Sequence, residues 1–565
     1  KSNAENDDGY SNNSTGNFNS WFHRDLDMNI MREFQNYRTP VSDVAKEGVL
    51  ASWNHSNPTA WDPANPNDFY KGNYWYNPYS YYNNVSYNNQ RDRLFGDASL
   101  TYKFNSDFSL RGTFRKQQLN TNEERTVNRL IEISASQSGI NNSYTDPTSP
   151  ASNNGKAMFG TSQTYSNRNV FEFVGSYKKK FKDFQLNANG AVEITQIKST
   201  SLFVNTLGGL VVPDLFTLSN SVQKTLGTVN TRSEEKRRAL LLRGDIGWKN
   251  ILFAEFVTRG DWSSVLPKNS SLFSQAYGLS FVFGDLVKND LPWLSFGKLR
   301  ASYGEVTRFI SPYSLSLIYG VGTQDWNGNS VTSTGNFPDP GLKGAIATTT
   351  EFGVDLRFLK NRLGLSVTYY IGQDKKAPIN GQISGTTGVG AILGNYGSTR
   401  RKGIDVQMNI KPVVAQNFAW DINATFSRQF ENIVTEIAPG VDQLTFSGGA
   451  TFSSITPPVT VNAVGKQWGL MYGGTVKRIN GQQVLDAGGL PIKNEDLAFF
   501  GSVLPDYTGG VQNTFTVFKN FVINVNIDYQ VGGKFFSLSD MYGSYSGLLA
   551  RTATINDRGR SIRDR

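Results

Sequence analysis

The sequence predicts an all-β fold, an antiparallel transmembrane β-barrel with short turns at one end and long loops at the other, and three observations favour this class. Segments of about ten residues alternate apolar and polar side chains with period 2, as strands with two different faces do. Very short polar links alternate with long connections along the chain. No stretch approaches the ~18 consecutive apolar residues of a transmembrane helix, so the chain is not a helical membrane protein.

The alternation predicts about 14 strands. In the segment 184–195 the even positions, from Phe184 to Ile194, are apolar or Gly, whereas most odd positions carry Gln, Asn, Glu or Thr. The polar faces are rich in Asn, Gln, Ser, Thr and Asp, which favours a wet lumen with the apolar face turned to lipid, and a soluble sandwich is the alternative. The expected strands are 93–104, 107–117, 169–181, 184–196, 238–248, 251–261, 272–284, 295–305, 346–358, 362–372, 402–412, 417–428, 509–518 and 521–531.

Seven links join these strands into hairpins. Asn and Asp, which tolerate the left-handed backbone of tight hairpins, are frequent in the six short links, 105–107, 182–183, 249–250, 360–361, 416–417 and 519–520. A medium link at 285–294 belongs to the same side by alternation. The long connections then fall at the opposite end, at about 118–168, 197–237, 306–345, 373–400 and 430–509.

Aromatic residues concentrate beside the short links, at Tyr102, Phe104, Phe181, Phe184, Trp248, Phe358, Phe518 and Phe521. Amphipathic rings favour the headgroup zone of a bilayer, so this band predicts an aromatic girdle. The alternative explanation is the general preference of aromatic residues for strands.

Composition argues against an ordinary soluble enzyme. Of 565 residues 13% are aromatic and only 18% are charged, whereas soluble domains carry about 25% charged residues. The absence of Cys excludes disulfides and thiolate metal sites, and two histidines, His23 and His55, leave little room for His-based catalysis. The sequence contains no G-x-S-x-G elbow, P-loop or H-E-x-x-H motif. We therefore expect no catalysis, no organic cofactor and no metal site.

The net charge is +9, from 56 Lys and Arg against 47 Asp and Glu. Nucleic-acid binding would require these basic residues to form a patch or stripe. They are scattered among strands and turns, so we expect no nucleic-acid partner. Basic residues near the outer rim could meet lipid phosphates, but the preferred interpretation is a charge spread over the chain without function.

An ordered series of short motifs runs from about residue 75 to 535. It consists of 77–79 (NPY), 88–96 (NNQRDRLFG), 259–264 (RGDWSS) with Asn269, 299–304 (LRASYG), 348–355 (TTTEFGVD), 395–398 (NYGS) with 402–405 (KGID), and 505–510 (PDYTGG). The series resembles the SusC/RagA-type TonB-dependent transporters of Bacteroidetes outer membranes. Two stretches depart from that pattern, since Trp262 replaces a usual Gly and 344–347 replaces a usual Trp-Glu pair.

The resemblance implies a 22-stranded barrel around an N-terminal plug domain. About eight strands, the plug and the TonB box would then lie outside this sequence. Within one barrel domain, we expect 1–92 to be an extracellular loop region, 93–535 the transmembrane strands with their loops, and 536–565 an extracellular loop or tail. An incomplete wall should not close on itself, so the strand near 93–104 should not pair with the strand near 521–531.

The resemblance also implies a function, nutrient uptake across the cell outer membrane. It implies TonB-dependent import of oligosaccharides or oligopeptides, together with a SusD-like surface lipoprotein. TonB–ExbB–ExbD would act through the plug, and outer-membrane lipid would surround the barrel. The competing hypothesis is a non-transporting barrel that serves as a structural platform or adhesin for surface lipoproteins or export machinery. A plug domain and a TonB box upstream of Lys1 would distinguish the two.

The segment 62–87 is the best candidate for ligand binding, because aromatic residues alternate there with Asn. Flat rings bury the apolar faces of sugars or peptide side chains, and amides bond to hydroxyls or backbone. The alternative is a loop packed on itself and on a lipoprotein partner. For Trp326, a second candidate, the alternative is a loop anchor. The candidate ligand-binding residues are Tyr70, Tyr74, Trp75, Tyr76, Tyr79, Tyr81 and Trp326.

Overall fold

A computed structural model describes residues 26–37, 50–53, 76–132, 156–224, 226–317, 320–321, 331–332, 336–382, 386, 390–447, 458–489 and 491–555. Most of these residues lie in one large antiparallel sheet. Its long strands are β1 (Val85–Lys103), β2 (Phe108–Val127), β3 (Met158–Phe181), β4 (Phe184–Asn205), β5 (Gly227–Trp248), β6 (Leu252–Ser263), β7 (Leu272–Val282), β8 (Leu294–Arg308), β12 (Ala345–Phe358), β13 (Leu363–Gln382), β14 (Ala391–Val414), β15 (Phe418–Glu436), β22 (Pro505–Val517) and β23 (Phe521–Gly532).

Shorter strands and helices occupy the long connections. The short strands are β9 (Gly320–Val321), β10 (Val331–Thr332), β11 (Asn336–Pro338), β16 (Gln443–Ser447), β17 (Val459–Ala463), β18 (Leu470–Gly473), β19 (Arg478–Ile479), β20 (Gln482–Gln483) and β21 (Ala498–Ser502). The α-helices are α1 (Met28–Glu33), α2 (Pro78–Asn84) and α3 (Leu538–Tyr545), and 3-10 turns lie at Arg129–Ile131, Leu218–Asn220 and Ala550–Ala553. In the described part of the chain, no helix is long and apolar enough to span a bilayer.

The long strands pair in chain order, each antiparallel to the next. β8 continues directly to β12, and β15 to β22, so the connections between them leave the sheet. β11 adds a short parallel pairing to β14. Within the described residues β1 and β23 stand at the two ends of the strand order and do not pair with each other. This agrees with the prediction that the strand near 93–104 does not pair with the strand near 521–531.

All of the predicted strands are present, but several are longer than predicted. β3 begins at Met158 instead of 169, β14 at Ala391 instead of 402, and β1 at Val85 instead of 93. The extra residues lie at the end with the long connections, for example 118–127 of β2. This stretch is polar on both faces, so the period-2 signal ends there while the backbone hydrogen bonding continues.

Cross-strand pairing fixes which side chains share a face, because directly opposed residues point the same way. Leu100 of β1 faces Gly112 of β2, which faces Phe173 of β3, which faces Val192 of β4. The row is strongly exposed, with Leu100 at 80%. We call this side the apolar face and the opposite side the polar face. Their separation follows the predicted alternation.

The seven links lie next to one another along one edge of the sheet. Backbone hydrogen bonds join each link to the next, such as Lys249 N to Asp183 O (2.8 Å) and Phe518 N to Asn417 O (2.8 Å). Leu359 N donates to Trp293 O (2.9 Å), which places the medium link on this side, as predicted. We call the links with their flanking strand ends the turn rim, residues 103–109, 178–185, 248–252, 282–296, 357–363, 411–418 and 517–521.

The buried side chains lie at the other end, which we call the loop end. One cluster joins Leu50, Tyr76 and Ile131 to the start of β1, and another packs Leu272 against Leu342 beyond β6 and β8. The strands β16, β17, β18 and β21 form a separate four-stranded sheet in the connection between β15 and β22. The core of the described structure is therefore a set of small clusters beneath the long connections, and the middle of the sheet has no covering layer.

Candidate functional site: the polar face and its groove

A groove of about 320 Å³ lies on the polar face across β1 to β4. The register brings its residues together, because Asp97 faces Arg115, which faces Val170, and Phe95 faces Gln117, which faces Arg168. A short link joins β1 to β2 and another joins β3 to β4, but a long connection separates β2 from β3, so the antiparallel pairing of β2 with β3 makes the two hairpins neighbours. We call this the polar groove; its polar-face side chains are Arg93, Phe95, Asp97, Arg115, Gln117, Arg168, Val170 and Glu193.

Both signs of charge line the polar groove. Arg115 is neutralised by Glu172, to which it donates two hydrogen bonds of 3.1 and 3.0 Å. Arg93 and Arg168 are exposed and form no ion pair within the described structure. Two guanidinium groups are therefore available to an anionic group, while Asp97 supplies a carboxylate on the same surface.

Phe95 is the unusual member of this surface. It is 70% exposed on the polar face, and the guanidinium carbon of Arg93 lies 5.0 Å from the centre of its ring. Stacking under a cation holds the ring flat and leaves its other surface for an apolar group. An aromatic residue on the polar face breaks the alternation, and that break is the sequence signal by which the groove could have been found.

Farther toward the loop end, the charges of the polar face are internally paired. Asp261 is 4% exposed and accepts two hydrogen bonds from Arg259 Nε, at 3.0 and 2.9 Å, while Arg259 also reaches Glu193 at 3.3 Å. Glu235 is 5% exposed and accepts from Arg237 and from the Ser263 hydroxyl. Because these carboxylates are buried and satisfied, this part of the wall acts as a rigid support.

The helix α2 and its surroundings hold three of the candidate ligand-binding residues. Asn77 caps the helix by accepting from Tyr79 N (3.0 Å), and its amide donates to Met31 O (2.6 Å), which ties α2 to α1. Tyr76 and Tyr81 are each 6% exposed, their rings 5.7 Å apart, and the Tyr76 hydroxyl donates to Ile131 O (3.1 Å).

Tyr79 is half-buried, and its hydroxyl accepts a hydrogen bond from Arg32 (3.3 Å). The guanidinium carbon of Arg32 lies 5.3 Å from the centre of the Tyr79 ring. The structure thus brings Tyr76, Tyr79 and Tyr81 together in the packing of α1, α2 and β1. Their role as ligand-binding residues stays a prediction. Four further candidates, Tyr70, Tyr74, Trp75 and Trp326, lie outside the described residues.

Two further features bear on the chemistry. A larger cavity of about 510 Å³ lies on the apolar face, where Leu279, Phe281 and Phe352 are among its lining residues, a surface that suits hydrocarbon chains. In the described part of the chain, no group of three or more His, Cys, Asp or Glu side chains is placed to hold a metal ion.

Comparison with known proteins identifies the family. The family model for the TonB dependent receptor-like β-barrel matches residues 7–546. TonB-dependent receptor P3 of Formosa agariphila is 27% identical over 306 residues, 49% of this chain and 30% of that protein. TonB-dependent receptor P39 of the same organism is 26% identical over 304 residues, 46% of this chain and 28% of that protein. The matched region thus spans less than a third of these relatives.

Among solved structures, the RagAB peptide transporter superposes with a TM-score of 0.66. The superposition covers 82% of this chain and 52% of that one, with 16% sequence identity, so it shows a common fold. The all-β transmembrane barrel predicted from alternation is the fold of this family, an outer-membrane family of transporters and receptors rather than enzymes. The series of motifs from 77–79 to 505–510, the matched family model and the common fold agree: this chain belongs to the TonB-dependent receptor-like β-barrel family.

Proposed function

We propose that the complete protein imports oligosaccharides or oligopeptides across the outer membrane, drawing energy from TonB–ExbB–ExbD through an N-terminal plug. A SusD-like surface lipoprotein would cover the loop end and deliver the substrate. Membership of the TonB-dependent receptor family supports energy-coupled import. The observation that carries the substrate argument is the polar groove, with unpaired arginines beside a carboxylate and an exposed ring.

Of the two substrate classes, the polar groove favours an oligopeptide. A peptide ends in an ammonium group, which Asp97 would attract, and a carboxylate, which Arg93 and Arg168 would attract. The free surface of Phe95 would bury an apolar side chain of the same peptide. A neutral oligosaccharide would use the ring but would leave these charges without a partner.

The competing hypothesis, a structural platform or adhesin, makes a different use of the same wall. The ion pairs around Arg259 and Glu235 would make the wall rigid in a transporter and in a platform alike. A platform would not require Arg93 and Arg168 to bind a ligand. Their effect on ligand affinity therefore separates the two hypotheses.

The test uses the full-length receptor, purified with its lipoprotein partner. Binding of a fluorescent oligopeptide mixture is measured for the native protein, for Arg93→Gln/Arg168→Gln, and for Arg232→Gln, an exposed arginine without an ion pair on the apolar side of β5. Each lost charge-assisted hydrogen bond should weaken binding by about 1.5 kcal/mol, roughly tenfold. We expect the double variant to bind about 100-fold more weakly and the control to bind normally.

Equal affinity in the native protein and the double variant would contradict a role for the polar groove. A matched growth experiment addresses the whole proposal. Cells that lack the gene should fail to grow on a peptide or glycan source that supports the parent strain. Unchanged growth on every such source would favour the platform hypothesis.

A further inference from the structure

The positive charge of this chain is concentrated at one edge of the sheet. The turn rim contains 55 residues, with 12 Lys and Arg against 4 Asp, a net charge of +8. The whole chain of 565 residues has a net charge of +9, which leaves +1 for all the rest. The interpretation of the charge as evenly spread is therefore wrong. It failed because the basic links are distant in sequence and become neighbours only through strand pairing.

The basic groups of the turn rim are exposed and only partly neutralised. Asp107 pairs with Lys179, and hydrogen bonds from Lys179 and Ser106 hold the pKa of the Asp107 carboxyl below its usual range. Asp183 lies 3.7 Å from Lys249. Within the described structure Lys182, Lys360 and Lys519 form no ion pair. Part of the positive charge of the turn rim therefore has no acidic partner within the described structure.

The backbone at these lysines is a second, independent observation. Lys182, Lys249, Lys360 and Lys519 adopt left-handed conformations with φ of 48°, 50°, 58° and 66°. Gly or Asn would occupy such positions with less strain. Lysine recurs at all four in spite of this cost, and strain of this kind persists where a site has a function. Four of the seven links therefore hold an ammonium group at a position that Gly or Asn would occupy with less strain.

Aromatic rings place the turn rim at a definite depth in the membrane. Phe181 stacks on Phe184 at 5.7 Å, both at strand ends, and Trp293 of the medium link stacks on Phe358 at 5.6 Å. The Lys249 ammonium lies 5.2 Å from the centre of the Trp248 ring. Aromatic belts sit at the level of the headgroups, so the lysines just beyond them meet the phosphates.

We propose that the turn rim binds anionic phospholipid headgroups of the bilayer leaflet at the short-link end. Ammonium groups at the depth of the phosphates would select phosphatidylglycerol or cardiolipin over zwitterionic lipids. Charge complementarity with a net charge of +8 supports this occupant, and the flanking rings fix its position. An acidic protein partner would use the same charge without needing the aromatic band.

The test uses the full-length receptor in phosphatidylcholine vesicles that contain brominated phosphatidylglycerol or brominated phosphatidylcholine. Quenching of the exposed Trp248 and Trp293 reports the lipid at the turn rim, and a Trp248→Phe/Trp293→Phe variant gives the background. The four left-handed lysines are changed together to Asn, which removes the charge and suits the backbone. A matched control changes four exposed lysines of the loop end to Asn: Lys268, Lys343, Lys466 and Lys477.

We expect the native rim to prefer phosphatidylglycerol about fivefold at low salt, and less at high salt. The turn-rim variant should lose most of this preference, and the loop-end variant should keep it. The same preference in the turn-rim variant, or an equal loss in the control, would overturn the proposal. A native protein with no preference for the anionic lipid would also overturn it and would favour an acidic protein partner. Vesicle binding requires no transport, so failure here is independent of the proposed import.

Discussion

Loss of the buried ion pair between Arg259 and Asp261 has an effect that can be worked out from its geometry. In Arg259→Gln the Asp261 carboxylate, 4% exposed, loses both of its hydrogen bonds and its counter-charge. Stranding a buried charge costs 3–5 kcal/mol, and the lower end applies because water reaches the Arg259 side chain, which is 34% exposed. About 3 kcal/mol corresponds to a roughly 150-fold increase in local opening.

The reverse change is milder. In Asp261→Asn the Arg259 guanidinium keeps its hydrogen bond to Glu193 at 3.3 Å. We therefore expect the free energy of local opening to fall by about 1 kcal/mol, which corresponds to a roughly fivefold increase in opening. The double variant has no stranded charge at 261 and should open less often than Arg259→Gln alone. Asp183→Asn is the matched control, because its pair with Lys249 at 3.7 Å is exposed and contributes little.

The assay is amide hydrogen exchange in β5 and β6 of the full-length receptor in vesicles, which reports local opening free energies. We expect the order of exchange rates to be Arg259→Gln fastest, then the double variant, then Asp261→Asn, with Asp183→Asn near the native rate. Effects of Arg259→Gln and Asp261→Asn that simply add in the double variant would refute the reasoning, since independent sites have no stranded charge.

Two further predictions test the sheet itself. A Cβ at Gly344 would lie 1.6 Å from the Arg308 carbonyl oxygen, so Gly344→Ala should separate the loop ends of β8 and β12 and raise amide exchange there. A Cβ at Gly96 would meet open space, so Gly96→Ala is the control and should not change amide exchange in β1. Val406 lies on the apolar face of β14 and its neighbour Gln407 on the polar face. In denaturant unfolding of the receptor in vesicles, Val406→Arg should lower the free energy of unfolding by about 2–4 kcal/mol, and Gln407→Arg should leave it unchanged. Equal effects of the two changes would contradict the assignment of faces.

The strands and their order were predictable because a strand with one apolar and one polar environment carries apolar and polar side chains at alternate positions. The alternation and the short links at 182–183 and 519–520 were enough to find every long strand. The loop-end extensions were not predictable, since water on both faces removes the alternation, as in 118–127. For the same reason the four-stranded sheet within 430–509 had no clear signal.

The candidate site was harder to predict than the fold. Aromatic residues interleaved with Asn indicated a binding loop, but composition does not distinguish a ring that meets a ligand from one packed inside, and Tyr76 and Tyr81 are buried. The polar groove depends on register, because Arg93, Arg115 and Arg168 lie on three different strands. Only the pairing of β1, β2 and β3 brings these groups together.

The central claim, energy-coupled import through a wall of which the polar groove is part, is tested most directly by uptake of a radiolabelled oligopeptide. Uptake is measured in cells with the full-length receptor, with and without TonB, and with Arg93→Gln/Arg168→Gln in place of the native sequence. We predict accumulation that disappears without TonB and falls sharply in the double variant, while Arg232→Gln accumulates the peptide normally. Accumulation that is independent of TonB, or equal in the native protein and the double variant, would contradict the account.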